Sequence, residues 1–137
     1  MEQNQNQNQQ QLQIQNPNSI PNQHQFDIWL ADIPRRVGYT SVTWGKRPVV
    51  IVSNDANNAN ANTVAIVPMT SHLDKTGLPT HVFIRDQGLA VPSIALCEQI
   101  TTLDKSDLLS PIGRIEKKWD RMSILHGLQV QLGMVEA

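Results

Sequence analysis

The composition of the chain breaks at Phe26, and only the part beyond that break can build a core. Sixteen of the first 25 residues are Gln or Asn, and Glu2 is the single Asp, Glu, Lys or Arg among them. Leu12, Ile14 and Ile20 are too sparse to offset the entropy of ordering such a segment. The expectation is a disordered Gln/Asn-rich tail over 1–25 and one folded domain over 26–137, large enough for a core of its own.

Within the second part the apolar residues come in short runs punctuated by turn formers. Phe26 to Ile33 alternates and stops at Pro34, which predicts a first strand. Arg35 to Lys46 is predicted as a long loop, with Gly38 and Gly45 inside it. Pro48-Val-Val-Ile-Val-Ser53 is a continuous β-branched run, the pattern of a strand buried on both faces. Asn54 to Asn62 is rich in Asn and Ala, with Asp55 placed to cap a single helical turn. Thr63 to Met69, His81 to Arg85 and Ser93 to Ile100 complete five strands. From Ile115 the period changes: Ile115, Trp119, Met122, Leu125, Leu128, Leu132 and Val135 recur every three or four residues, the stripe of an amphipathic helix. These elements predict an α+β domain, mainly β, with the sheet strongly curved into a small barrel and closed on one side by a C-terminal helix.

Charge and cysteine content narrow the function classes. Charged residues make up 17% of the chain and the formal net charge is −1, so no overall basic field draws it onto nucleic acid. Any RNA binding has to come from a local patch. One cysteine, Cys97, permits neither a disulfide framework nor a zinc knuckle and fits a reducing cytoplasm. No apolar run is long enough to span a bilayer, and the start of the sequence has no basic-then-apolar signal pattern. His24, His72, His81 and His126 are not at metal-ligand spacing to one another or to Cys97, so neither a metal nor another cofactor is expected.

The local patch lies between Asp32 and Asp55. No acidic residue occurs there, while Arg35, Arg36, Lys46 and Arg47 do, with Tyr39, Thr40, Ser41, Thr43 and Trp44 among them. Cations, rings and hydroxyls in one loop suit single-stranded nucleic acid, although a solvated loop with a Trp folded onto the core has the same composition. Arg47 directly precedes Pro48 at the mouth of a buried strand, where a rigid backbone presents its fork to a phosphate or to a capping carboxylate. Thr70 ends the next strand, a place where hydroxyls serve either structure or chemistry. Glu98 and Gln99 end the strand of Cys97. A carboxylate there is either desolvated or paired, with Arg47 or Arg114 as the expected partner. His81 starts another strand and reads as a hydrogen-bonded core histidine or as part of a binding surface.

Taken in order, several blocks resemble the MazF/PemK-type toxins. They are Asp27-Ile-Trp-Leu-Ala-Asp32, Arg47-Pro-Val-Val-Ile-Val-Ser-Asn-Asp55, Val67-Pro-Met-Thr-Ser71, Leu78-Pro-Thr-His-Val82, Cys97-Glu-Gln-Ile100, Thr102-Leu-Asp-Lys105 and Ile112-Gly-Arg-Ile115. The likeness covers Phe26 to Leu132 and leaves the tail without a counterpart. It implies an SH3-like barrel of the PemK/CcdB type and a homodimer. It also implies metal-independent cleavage of single-stranded RNA at short sequences, and silencing by a cognate antitoxin protein. Arg47 and Thr70 fall on the family's catalytic arginine and threonine, and Glu98 on an acidic position that some members use. Arg35, Arg36, Tyr39, Thr40, Ser41, Trp44, Lys46, His81 and Gln99 form the expected RNA-binding set. Two departures stand out. The loop from Gly38 to Arg47 is about two residues longer than the common pattern and lacks its Glu or His, and Thr101 stands where an arginine often precedes Thr102. A CcdB-like poison acting on a protein target, or an inactive antitoxin-binding homologue, would share the fold without the chemistry.

Overall fold

A computed structural model describes residues 22–75 and 77–137, and most of the tail expected over 1–25 lies outside these. Among the described residues seven strands and two α-helices follow in order: β1 (Asp27–Ile33), β2 (Gly45–Ile51), α1 (Asp55–Asn60), β3 (Thr63–Thr70), β4 (His81–Ile84), β5 (Ser93–Leu96), β6 (Thr101–Asp104), β7 (Leu108–Arg114) and α2 (Lys118–Gln131). Single 3₁₀ turns occupy Leu73–Lys75, Cys97–Gln99 and Lys105–Asp107. The strand count exceeds the five expected. Thr101–Asp104 and Leu108–Arg114 have few buried side chains, so they lack the apolar alternation that marks the other strands.

Every pairing is antiparallel, and the sheet runs β4-β5-β3-β2-β1-β7, with β6 also on β3. The ladders end at β4 and β7, so the sheet is open and does not close into the expected barrel. Both faces are nevertheless buried. Val50, Val67 and Met69 join Ile28, Ile115 and Ile124 in one apolar cluster, while Val49, Ile51 and Ile66 join Trp29, Leu103 and Leu108 in another. Alternate residues of β2 thus serve two cores, which is why its sequence is continuously apolar.

Helix α2 corrects the sequence reading in its orientation. Its buried residues are Ile124 and Gly127, with Leu128 partly buried beside them. Trp119, Met122, Leu125 and Leu132 of the expected stripe are exposed, Trp119 to 77%. The helix meets the sheet along a narrow seam because Gly127 lies against Cys97: a Cβ there would stand 2.8 Å from its sulfur. Helix α1 is capped by Asn54, whose side chain accepts the Asn57 N–H at 2.8 Å, and not by Asp55. Asp55 instead accepts the backbone N–H of Gln25, whose amide also donates to the Val52 carbonyl. Residues 22–25 therefore contact the domain, with Gln23 itself buried. Among the described residues no helix is long and apolar enough to cross a membrane.

The tightest junction packs the bend at Gln87–Gly88 on β7. A Cβ on Gly113 would lie 2.2 Å from the Gln87 carbonyl oxygen, with backbone on every near side. Gln87 also accepts the Glu116 and Lys117 N–H groups with its side-chain carbonyl, fixing the entry to α2. Gly113→Ala should destabilise the fold by about 1–3 kcal/mol or more. The check is a thermal melt, expected several degrees below that of the parent chain.

Candidate active site

The site grows from the ends of β2 and β3. Val49 lies opposite Pro68 and Val50 opposite Val67. Continuing this register by two residues sets Arg47 beside Thr70, both at the margin of the buried sheet. On its other edge β3 carries two strands in succession: Ala95 of β5 opposes Met69, and Thr101 of β6 opposes Ile66. Six residues along the chain therefore face three along β3. The surplus leaves the ladder as the turn Cys97–Gln99, which carries Glu98 and Gln99 outward.

These elements enclose a cleft of about 530 Å³. Of the residues singled out by sequence, Arg47, Thr70 and Glu98 line it together with Thr40, Ser41, Trp44, His81 and Gln99. Arg35, Arg36, Tyr39 and Lys46 do not. Arg35 and Arg36 border a neighbouring groove with Thr101 and Asp104, and Lys46 borders another behind Arg47 and Thr70. Tyr39 is 96% exposed. Thr43 of the same loop patch also lines the cleft, and so do Val42, His72, Leu78 and Leu96, which the sequence reading does not single out as binding residues. For His72 the available signal was its place two residues beyond Thr70, whose hydroxyl accepts the His72 N–H at 3.2 Å.

Glu98 has a different partner from those expected. Its carboxylate receives the Thr80 hydroxyl at 3.2 Å and faces His81 Nε2 at 3.0 Å. Arg114 instead pairs with Asp27 at 3.6 Å. The carboxylate acceptor fits the tautomer in which His81 Nε2 carries the ring proton. Its Nδ1 is buried with no hydrogen-bond partner among the described residues.

Arg47 is held by the loop instead of by a carboxylate. Its Nε and one Nη donate to the Trp44 carbonyl at 3.1 and 2.8 Å. Partial burial lowers its proton affinity below the ordinary guanidinium value, yet an arginine stays charged across the neutral range. The Thr43 N–H donates to Gln99 Oε1 at 2.7 Å. Trp44 is 44% exposed, and Arg35 Cζ lies 4.8 Å from its ring centroid. The tryptophan of the core is Trp29, not Trp44.

Solved structures share the architecture. MazF from Deinococcus radiodurans superposes with a TM-score of 0.70 at 20% identity, covering 85% of this chain and 100% of that one. A mycobacterial endoribonuclease in complex with its cognate antitoxin gives 0.67 at 24%, covering 84% and 99%. The model for the PemK-like, MazF-like toxin of type II toxin–antitoxin systems matches residues 24–126. Endoribonuclease EndoA of Bacillus subtilis is 33% identical over 113 residues, 80% of this chain and 94% of that protein. Endoribonuclease MazF of Staphylococcus saprophyticus is 34% identical over 110 residues, 79% and 89%. The chain belongs to the PemK-like, MazF-like toxin family.

Cys97 is the buried first residue of the turn that carries Glu98. Burial, and secondarily the charge of Glu98, push its thiol from 9.0 up to about 12. Above pH 9 the unfolded chain sheds a proton that the folded chain retains, so this thiol lowers stability as pH rises from about 9 toward 12. Below pH 9 both states hold the proton and the effect vanishes. Melting temperatures across pH 8–11 should therefore fall more steeply for the parent chain than for Cys97→Ala. Equal slopes would show that the buried thiol does not titrate differently in the two states.

Proposed function

We propose that the chain is the toxin of a type II toxin–antitoxin system, a metal-independent endoribonuclease that cuts single-stranded RNA at preferred sequences. The observation that carries this reading is the convergence of Arg47, Thr70 and Glu98 on one cleft walled by the loop residues Thr40, Ser41 and Trp44. The named activity of the relatives from Bacillus subtilis and Staphylococcus saprophyticus supports it.

The reaction is transesterification. The 2′-oxygen of the substrate bonds to the adjacent phosphorus and the bond from phosphorus to the 5′-oxygen breaks. A 2′,3′-cyclic phosphate results, and the departing 5′-oxygen takes a proton from solvent water to become a 5′-hydroxyl. Glu98 accepts the 2′-hydroxyl proton; two of its acceptor positions are taken by Thr80 and His81, and a carboxylate offers about four. Arg47 turns its remaining N–H donors toward the phosphorane oxygens, with Thr70 donating to a non-bridging one. A guanidinium is too weak an acid for proton transfer near neutral pH, so its part is charge stabilisation. The nucleophile belongs to the RNA, which removes the need for a metal-activated water. Among the described residues no three His, Cys, Asp or Glu side chains group closely enough to hold a metal.

Thr40, Ser41, Trp44, His81 and Gln99 meet bases and sugars in this reading, while Arg35, Arg36, Tyr39 and Lys46 lie outside the cleft along the path of flanking nucleotides. A cognate antitoxin and a second copy of the chain are the protein partners. Exposed Phe83, Trp119 and Met122 beside the edge strand β4 give the homodimer an apolar surface to bury. The fold is an SH3-like barrel opened between β4 and β7, acting in the cytoplasm.

Purified protein incubated with a long single-stranded RNA in EDTA should cleave it and leave 2′,3′-cyclic phosphate ends. Arg47→Ala and Thr70→Ala should each slow cleavage by about 100-fold or more while remaining folded. No cleavage by the parent chain would favour a CcdB-like poison or an inactive antitoxin-binding homologue. Cleavage restored only by added metal would overturn the mechanism.

Trp44→Ala should weaken RNA binding by about 1–3 kcal/mol if a base stacks on the open face of the ring. Its melting temperature should change little because the ring is outside both apolar clusters. A large drop in melting temperature with unchanged site preference would remove Trp44 from the recognition surface.

A further inference from the structure

Three hydrogen bonds meet at adjacent residues of the loop, and together they connect the turn after β5 to the arginine at the start of β2. Gln99 Oε1 accepts the Thr43 N–H at 2.7 Å. The carbonyl of the next residue, Trp44, accepts Arg47 Nε and Nη2 at 3.1 and 2.8 Å. Arg47 has no carboxylate within ion-pair distance among the described residues, so this carbonyl is the anchor that sets its side-chain direction. A carbonyl can hold a guanidinium in place only if its own peptide is held. On the strand side that peptide enters β2 at Gly45, which pairs with Ile33; on the loop side the Thr43 N–H, two peptide units back, supplies the restraint. Gln99 is fixed in turn by the 3₁₀ turn Cys97–Gln99, wedged between β5 and β6 on β3.

We propose that Gln99 is a positioning residue for Arg47, acting through the backbone of Thr43 and Trp44, in addition to lining the cleft. The inference rests on the functional reading above for its consequence in cleavage, but not for the contact itself. Its physical content is specific. The acceptor oxygen of Gln99 does the positioning, whereas a residue that read RNA through donors would need the amide nitrogen. Glutamate keeps the oxygen and loses the nitrogen; leucine keeps the approximate shape and loses both.

The full chain and the variants Gln99→Leu and Gln99→Glu distinguish these roles. Amide exchange followed by NMR reads the Thr43 N–H and Arg47 Nε–H directly, without any substrate. In Gln99→Leu both should exchange about 3- to 10-fold faster, the net worth of one hydrogen bond. In Gln99→Glu both should stay protected. In single-turnover cleavage, Gln99→Leu should lose about 10- to 100-fold in rate at saturating RNA, as expected of a misplaced catalytic group. Gln99→Glu should recover most of that rate while binding RNA more weakly at low salt, because it adds a negative charge to the cleft.

Unchanged Thr43 and Arg47 exchange in Gln99→Leu would overturn the proposal. So would a Gln99→Glu chain as slow as Gln99→Leu with both protons protected, since the amide nitrogen would then be the group that matters. Should Gln99→Leu not fold, Gln99→Glu still decides, because retained protection and rate are required of it. Absence of cleavage by the parent chain would count against the functional reading alone, and the exchange arms would still test the positioning.

Discussion

Strand β3 is the member on which the remaining geometry depends. One edge pairs with β2; the other is shared by β5 and β6 in sequence. Because both partners on the second edge need antiparallel register, the chain between them has to shed three residues, and it does so as a 3₁₀ turn. That turn raises Glu98 and Gln99 above the sheet. The register on the first edge brings Arg47 to the level of Thr70. Four residues from distant parts of the sequence meet because a single eight-residue strand has its backbone satisfied on both sides.

The electrostatics of the cleft follow from the same arrangement. Arg47 is partly desolvated and bonded to a neutral carbonyl, not to a carboxylate. Among the described residues its positive charge is thus offset by no ion pair and remains available to an anionic ligand. Glu98 is kept apart from it by a separate set of partners, Thr80 and His81, across the β4–β5 hairpin. A direct Arg47–Glu98 pair would have neutralised both groups. Segregating them keeps a cation and an anion in one cavity, as the proposed cleavage requires.

The apolar surface is distributed less simply than the sequence pattern implies. The stripe read on the C-terminal helix points largely outward, while Ile124 and Gly127 make its buried contact. Period alone finds that the segment is a helix with an apolar side. It does not say which of two apolar sides meets the sheet, since a small residue allows close approach without contributing hydrophobicity. Gly127 against Cys97 decided that here. The two strands missed in sequence, β6 and β7, have the same origin. They hold their places by backbone pairing to β3 and β1, and few of their side chains are buried.

Local chemistry in the sequence determined a good deal. The β-branched run at 48–53 dictated a strand between two cores, the Asn-rich segment a short helix, and the acid-free stretch with Trp44 and four basic residues a candidate contact surface. The order of blocks also pointed to Arg47, Thr70 and Glu98. Only the tertiary structure decided which of the basic residues face the cleft, that Glu98 answers to His81, and that Gln99 holds the loop through Thr43. Each of these is a contact between residues many positions apart. Such contacts depend on strand register and on a three-residue offset between two ladders, quantities that no local pattern of side chains encodes.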